Sequence, residues 1–190
     1  MIAAIDDYML ELFVSWRVPA LNAPIAELST ACSPRFIIAG SLVFLVLSFA
    51  AGYRWAKQCL YVVLALGIAQ IITTFAKSVF DRPRPPEVFH LVMTHDASFP
   101  SGHATVAGAL AGAITMVVRV RGDKRASASA LCVVMWTWAL FMATARLYLG
   151  VHWLSDVLTG LVLGALVSIL VWHAGKQYFQ PSSNYVGDVG

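Results

Sequence analysis

Hydrophobic residues along this chain come in long blocks. Five segments, 36–53, 58–76, 97–118, 126–145 and 157–175, contain no Lys, Arg, Asp or Glu. Each is close to the ~20 apolar residues that cross a bilayer core as a helix. One such block could be a buried helix of a soluble protein, but five in 190 residues predict an all-α, polytopic bundle of transmembrane helices. Ahead of them, Ile5, Tyr8, Met9, Leu12, Phe13 and Trp16 recur at helical spacing, with Asp6, Asp7 and Glu11 on the other face. That pattern predicts an amphipathic helix lying in the membrane interface. Pro19 and Pro24 argue against a clean span there, and a sixth span over 8–28 stays open. Acids also stand where a cleavable signal peptide would need a basic region. Residues 1–176 read as one membrane domain, and the polar stretch 177–190, with Pro181, Ser182, Ser183 and Gly190, as a disordered tail.

Composition agrees. The chain is 59% hydrophobic and 12% charged, where soluble domains are roughly a quarter charged. A net charge of +3 with no basic run among aromatics gives no nucleic-acid surface. Cys32, Cys59 and Cys132 are odd in number and widely spaced, and read as small hydrophobes, not a disulfide or metal framework. Gly108 and Gly112, like Gly160 and Gly164, are four apart, a spacing that lets spans pack closely.

Charge placement points to a site. Arg54 and Lys57, the run Arg119, Arg121, Lys124 and Arg125, and Lys176 fall on one side of the membrane, which the positive-inside rule makes cytoplasmic. Lys77, Arg82, Arg84 and Arg146 fall at the opposite side, against the rule. They sit within three clusters. The first runs from Lys77 to Arg84 and Pro85, in a loop that prolines stiffen. The second is Pro100-Ser101-Gly102-His103. The third holds Arg146, His152 and Asp156. Lysine and arginine at a membrane edge can simply snorkel, but Arg84 in a rigid loop suits bidentate phosphate binding. The second cluster opens a span, where unpaired backbone N–H groups favour an anion. Ser101 could cap that helix, and Gly102 lets a ligand approach the backbone. His152 and Asp156, four apart, share a helix face, and a carboxylate on one imidazole nitrogen frees the other to attack. A zinc reading is poor, because no His-Glu-x-x-His pattern occurs. His90, His95 and His173 lack such partners. The inventory suits phosphoryl transfer through a covalent phosphohistidine without metal or other cofactor.

At these residues the chain resembles the type 2 phosphatidic acid phosphatase superfamily. Its signature, Lys-x6-Arg-Pro, Pro-Ser-Gly-His and Ser-Arg-x5-His-x3-Asp, is matched by Lys77 to Pro85, by Pro100 to His103 and by Arg146 to Asp156, with Ala145 replacing the usual serine. The resemblance implies that His152 attacks phosphorus, that Asp156 orients it, and that His103 protonates the leaving oxygen and then activates water. It implies that Lys77, Arg84, Ser101, Gly102 and Arg146 bind phosphate, and that the core has six helices. It implies a lipid partner in the bilayer: phosphatidic acid, phosphatidylglycerol phosphate, undecaprenyl diphosphate or lipid A phosphate. Vanadium haloperoxidases share the signature but are soluble. A transporter would need polar residues across the bilayer, and here they gather at span ends on one side, taken to be the periplasmic or outer face.

Overall fold

The computed structural model describes residues 1–53, 55–120 and 125–179. Arg54, Arg121, Lys124 and the tail beyond Phe179 lie outside the described residues. The rest is helical: α1 (Ile2–Ser15), α2 (Pro19–Ala31), α3 (Pro34–Ala50), α4 (Ala56–Phe80), α5 (Gly102–Val120), α6 (Ala126–Tyr148) and α7 (Leu154–Phe179). A short 3-10 turn, Glu87–Phe89, interrupts the long loop between α4 and α5.

Proline marks where the early helices begin. Pro19 and Pro34 stand in the first turns of α2 and α3, where a missing N–H costs nothing. Among the described residues, α4, α5, α6 and α7 are each long and apolar enough to cross a membrane, and α2 with α3, bent by 45°, passes the same test only as a pair, as a broken span or a re-entrant loop would. Residues 8–28 do not form one helix, since α1 ends at Ser15 and α2 begins at Pro19. The predicted span 97–118 is also trimmed: residues 97–101 are loop, and the helix starts at Gly102. At the other end, α7 runs past Lys176 to Phe179, which is buried against Tyr61 and Trp172.

α5 is the central helix. Half of its most apolar stretch is buried, against 28% for α4 and α6. Its small residues make that possible. A methyl group added at Gly108 or Gly112 would run into Leu161 or Ser168 of α7, and one at Gly160 would come within 2.7 Å of the Ser101 carbonyl. The two helices therefore touch backbone to backbone. Outward-facing Ile71, Phe75, Val133, Val162 and Leu170 are exposed, which is the surface hydrocarbon solvates and water does not.

α1 departs from the amphipathic expectation in one respect. Asp7 and Glu11 are exposed as predicted, but Asp6 is buried at 1% exposure and joins Leu10 and Phe13 on the face turned to the protein. Ile5, Tyr8 and Trp16 are the exposed ones. The reason is an ion partner that periodicity does not reveal.

Candidate active site

Close packing of α5 on α7 brings their N-terminal ends together, and Ser101 N donates to the Asp156 carbonyl at 3.1 Å. The C-terminal ends of α4 and α6 reach the same end of the bundle, with Lys77 and Arg146 in their last turns. All eight residues singled out in the sequence therefore belong to one region.

His152 lies between α6 and α7, 2% exposed. Its Nδ1 is 3.4 Å from Asp156 Oδ2, and its Nε2 is 3.3 Å from Arg84 Nη1. A guanidinium only donates, so Nε2 accepts and Nδ1 carries the hydrogen facing the carboxylate. Burial, then the charges of Arg146, Arg84 and Lys77, push the His152 pKa well below the usual histidine value. The imidazole is thus neutral, with its lone pair aimed among cations.

Those cations are held in different ways. Arg84 donates through Nε to the Asp96 carbonyl at 2.7 Å, through Nη2 to Asp96 Oδ1 at 2.6 Å, and through Nη1 to the Val151 carbonyl at 2.5 Å. Lys77 pairs with Asp96 Oδ2 at 3.0 Å and donates to the Ala97 carbonyl. Burial alone would raise the Asp96 pKa, but Lys77 and Arg84 outweigh it and hold it down to about 2. Arg146 is 5% exposed and donates through Nη1 to Ser29 Oγ at 3.0 Å, while its Nε has no partner among the described residues.

His103, in the first turn of α5, has Nε2 3.1 Å from the Ser29 carbonyl. A carbonyl only accepts, so Nε2 carries hydrogen and Nδ1 remains for proton exchange. Ser101 does not cap its helix through the side chain: its buried Oγ has no partner, and its carbonyl accepts from Thr105. Protein packing does not demand glycine at 102 either, because an added methyl would meet Pro34, Thr73 and Gln70 no closer than 3.7 Å. Gly150 is different. Its φ is +72°, and an added methyl would lie 2.7 Å from Arg17 Nη2. His90 stays apart, bonded to the Pro85 carbonyl at 2.8 Å.

The sequence reading missed Ser29, Asp96, Ser98 and the partners of Arg82. Asp96 and Ser98 stand just ahead of Pro100-Ser101, near enough to be suspected. Nothing local marks Ser29 or Asp6.

An apolar cleft of about 570 Å³ lies between α3, α4 and α5, lined by Phe36, Gly40, Phe44, Val62, Leu110 and Ile114 among others. Its lining along α4 and α5, from Trp55 to Val62 and from Leu110 to Val117, lies in the half of the bundle away from Gly102 and His152.

Against this geometry, the profile of the PAP2 superfamily matches residues 58–179. The chain belongs to the PAP2 superfamily. It is 26% identical over 167 residues to phosphatidylglycerophosphatase B of Bacillus subtilis (strain 168), covering 87% of this chain and 81% of that one. It is 30% identical over 142 residues to undecaprenyl-diphosphatase BcrC of the same organism, covering 70% and 66%. Among solved structures it resembles the first transmembrane PAP2 type phosphatidylglycerolphosphate phosphatase from Bacillus subtilis, with a TM-score of 0.77 and 25% identity over 92% of this chain and 86% of that one. With PAP2 relatives and several membrane-length helices, this is a multi-pass membrane protein and a lipid phosphate phosphatase. The PAP2 match begins in α4. Helices α1 and α2 precede it, yet they supply Asp6 and Ser29 to the same end of the bundle.

Proposed function

We propose that this PAP2 phosphatase hydrolyses a lipid phosphate or diphosphate through a phosphohistidine on His152, at the membrane face away from the cytoplasm. The observation that carries this reading is the surrounding of His152 Nε2. A neutral imidazole nitrogen faces Arg84, and the unpartnered Nε of Arg146 and Oγ of Ser101 are buried in the same region. Buried polar atoms are rarely left unpaired, and a phosphoryl group's equatorial oxygens would pair them.

In this reading Nε2 attacks phosphorus, and the bond from phosphorus to the lipid oxygen breaks. Lys77, Arg84, Arg146, Ser101 and the backbone at Gly102 hold the phosphoryl oxygens. Asp156 accepts from Nδ1–H and stabilises the ring as it becomes cationic. His103, protonated at Nδ1 as well when substrate binds, gives that Nδ1 proton to the departing lipid oxygen while its Nε2–H stays on the Ser29 carbonyl. It then takes one from water, which attacks phosphorus, releases inorganic phosphate and restores His152. With a diphosphate the first product is the lipid monophosphate.

A lipid substrate is favoured over a soluble phosphate ester because the site lies at the ends of membrane-length helices and the relatives include phosphatidylglycerophosphatase B and undecaprenyl-diphosphatase BcrC. Phosphatidic acid, phosphatidylglycerol phosphate and undecaprenyl diphosphate all fit this description.

The test separates the two histidines by trapping label from ³²P-phosphatidic acid on protein. His103→Ala keeps its nucleophile but loses the base for breakdown, so acid-labile, base-stable label should accumulate. His152→Ala should show none. Label in His152→Ala but not in His103→Ala would exchange the two roles, and equal label in both would overturn the covalent mechanism.

A further inference from the structure

The carboxylate of Asp156 is crowded with donors. Arg82 Nη1 lies 2.6 Å from Oδ1, while Trp153 N donates to Oδ2 at 2.9 Å and Ser98 Oγ to the same oxygen. Nδ1 of His152 shares that oxygen at 3.4 Å. A guanidinium so close would cancel most of the negative charge that Asp156 offers the imidazole. The other side of the same guanidinium, however, meets a second carboxylate. Arg82 Nη2 donates to Asp6 Oδ2 at 2.8 Å, and Asp6 also accepts from Ser155 N at 2.9 Å and from Ser155 Oγ at 2.6 Å. Both carboxylates are buried, at 1% and 0% exposure.

Two carboxylates around one guanidinium leave one net negative charge next to His152. We propose that Asp6, delivered by the N-terminal helix α1, is a positioning residue for the reaction, which through Arg82 keeps Asp156 in place and net negative toward His152. This rests on the reading of His152 as nucleophile. The charge is needed when the Nε2–phosphorus bond forms and the lipid–oxygen bond breaks, because the ring keeps its Nδ1 proton and becomes cationic. The side chains of Asp6 and Asp156 are 2% and 0% exposed, although Arg82 between them is 28% exposed, so screening is partial and a charge one residue removed is still felt there.

The rival role for Asp6 is to dock α1, with no bearing on the chemistry. Charge bookkeeping separates the two. Asp6→Asn keeps the shape but leaves Arg82 opposite Asp156 alone, with no net charge. Adding Arg82→Gln to it removes the cation, retains an amide donor toward Asp156 and restores one net negative charge.

The full chain would be purified in detergent and assayed with phosphatidic acid, with melting followed in parallel. Asp6→Asn should lower kcat on the order of tenfold, a mid-range effect for groups sharing one network, with KM changed less than about threefold. The Asp6→Asn/Arg82→Gln double variant should recover to within a few-fold of wild type, even if it melts at a lower temperature. A double variant no more active than Asp6→Asn, or an Asp6→Asn enzyme with unchanged kcat, overturns the proposal. Should Asp6→Asn fail to fold, Ser155→Ala decides: it removes a hydroxyl that anchors both Asp6 and Arg82 but leaves all three charges in place, so kcat should stay near wild type, and a tenfold fall would assign the effect to anchoring and overturn the role of charge. Asp156→Asn tests the underlying mechanism separately. Full activity there would sink the reading of His152, whereas inactivity there with a fully active Asp6→Asn enzyme would sink the role of Asp6 alone.

Discussion

Replacing Ser29 by alanine should impair phosphate binding without touching the proton-transfer histidine. Ser29 stands near the end of α2, 1% exposed, and offers two groups to the site. Its hydroxyl accepts from Arg146 Nη1 at 3.0 Å, and its carbonyl accepts from His103 Nε2 at 3.1 Å. Alanine removes the first and keeps the second, because the carbonyl is main chain. A hydrogen bond to a charged group is worth about 1.5–3 kcal/mol. Since about 1.4 kcal/mol is tenfold, the cost to kcat/KM should lie between roughly 10-fold and 100-fold if the bond sets the pose of Arg146 at the transition state. The hydroxyl also bears on Ala145, which stands where the signature that the chain resembles has serine. Arg146 has found a hydroxyl on another helix, so Ala145→Ser alone should change the rate less than about tenfold, as one neutral bond contributes ~0.5–1.5 kcal/mol. The assay is kcat/KM for phosphatidic acid together with the inhibition constant of vanadate, and both should worsen in Ser29→Ala. The rate of phosphohistidine breakdown, which belongs to His103, should stay within about twofold of wild type, well inside the 100-fold or more that acid–base assistance supplies. An unchanged kcat/KM and vanadate constant, or a loss confined to breakdown, would refute the reasoning.

Two further outcomes bear on the mechanism and its sidedness. Activity should persist in excess EDTA, because Lys77, Arg84 and Arg146 supply the charge that a metal would otherwise bring, and vanadate should inhibit by bonding at His152; loss on chelation restored by zinc or magnesium would contradict this. A cysteine at Glu87, in the loop between α4 and α5, should react with an impermeant thiol reagent in intact cells, while one at Ser127, at the start of α6, should be shielded, both in a background lacking Cys32, Cys59 and Cys132; the reverse pattern would invert the topology.

Much of this protein is legible in one dimension because the bilayer enforces simple rules. A segment that crosses hydrocarbon must be long and uncharged, so the spans 58–76, 126–145 and 157–175 correspond closely to α4, α6 and α7. Charges that break the sidedness rule need a reason, and Lys77, Arg84, Arg146, His103, His152 and Asp156 announce themselves by type, spacing and place at span ends. His152 does stand beside Asp156, but it precedes α7, which begins at Leu154, so the turn ahead of the helix and not a shared helix face makes the pair; small residues foretold the contact of α5 with α7.

What the sequence could not decide is which distant groups complete those residues. Asp6 and Asp7 are neighbours of one chemistry at the membrane edge, and periodicity assigns both to solvent. Only the docking of α1 distinguishes them, turning Asp6 inward to Arg82 and Ser155 while Asp7 stays exposed. Ser29 is one serine among several, and its importance comes from the turn at 32–33 between α2 and α3, which carries the end of α2 over His103 and Arg146. Asp96 is a loop acid until the chain folds back and sets it between Lys77 and Arg84. Each depends on contacts between residues far apart in the chain, whose geometry is set by helix packing and loop closure and leaves no trace in local composition. Local pattern thus determined the spans and nominated the candidate reactive groups, whereas tertiary structure alone chose the partners that fix their charge, their tautomers and their pose.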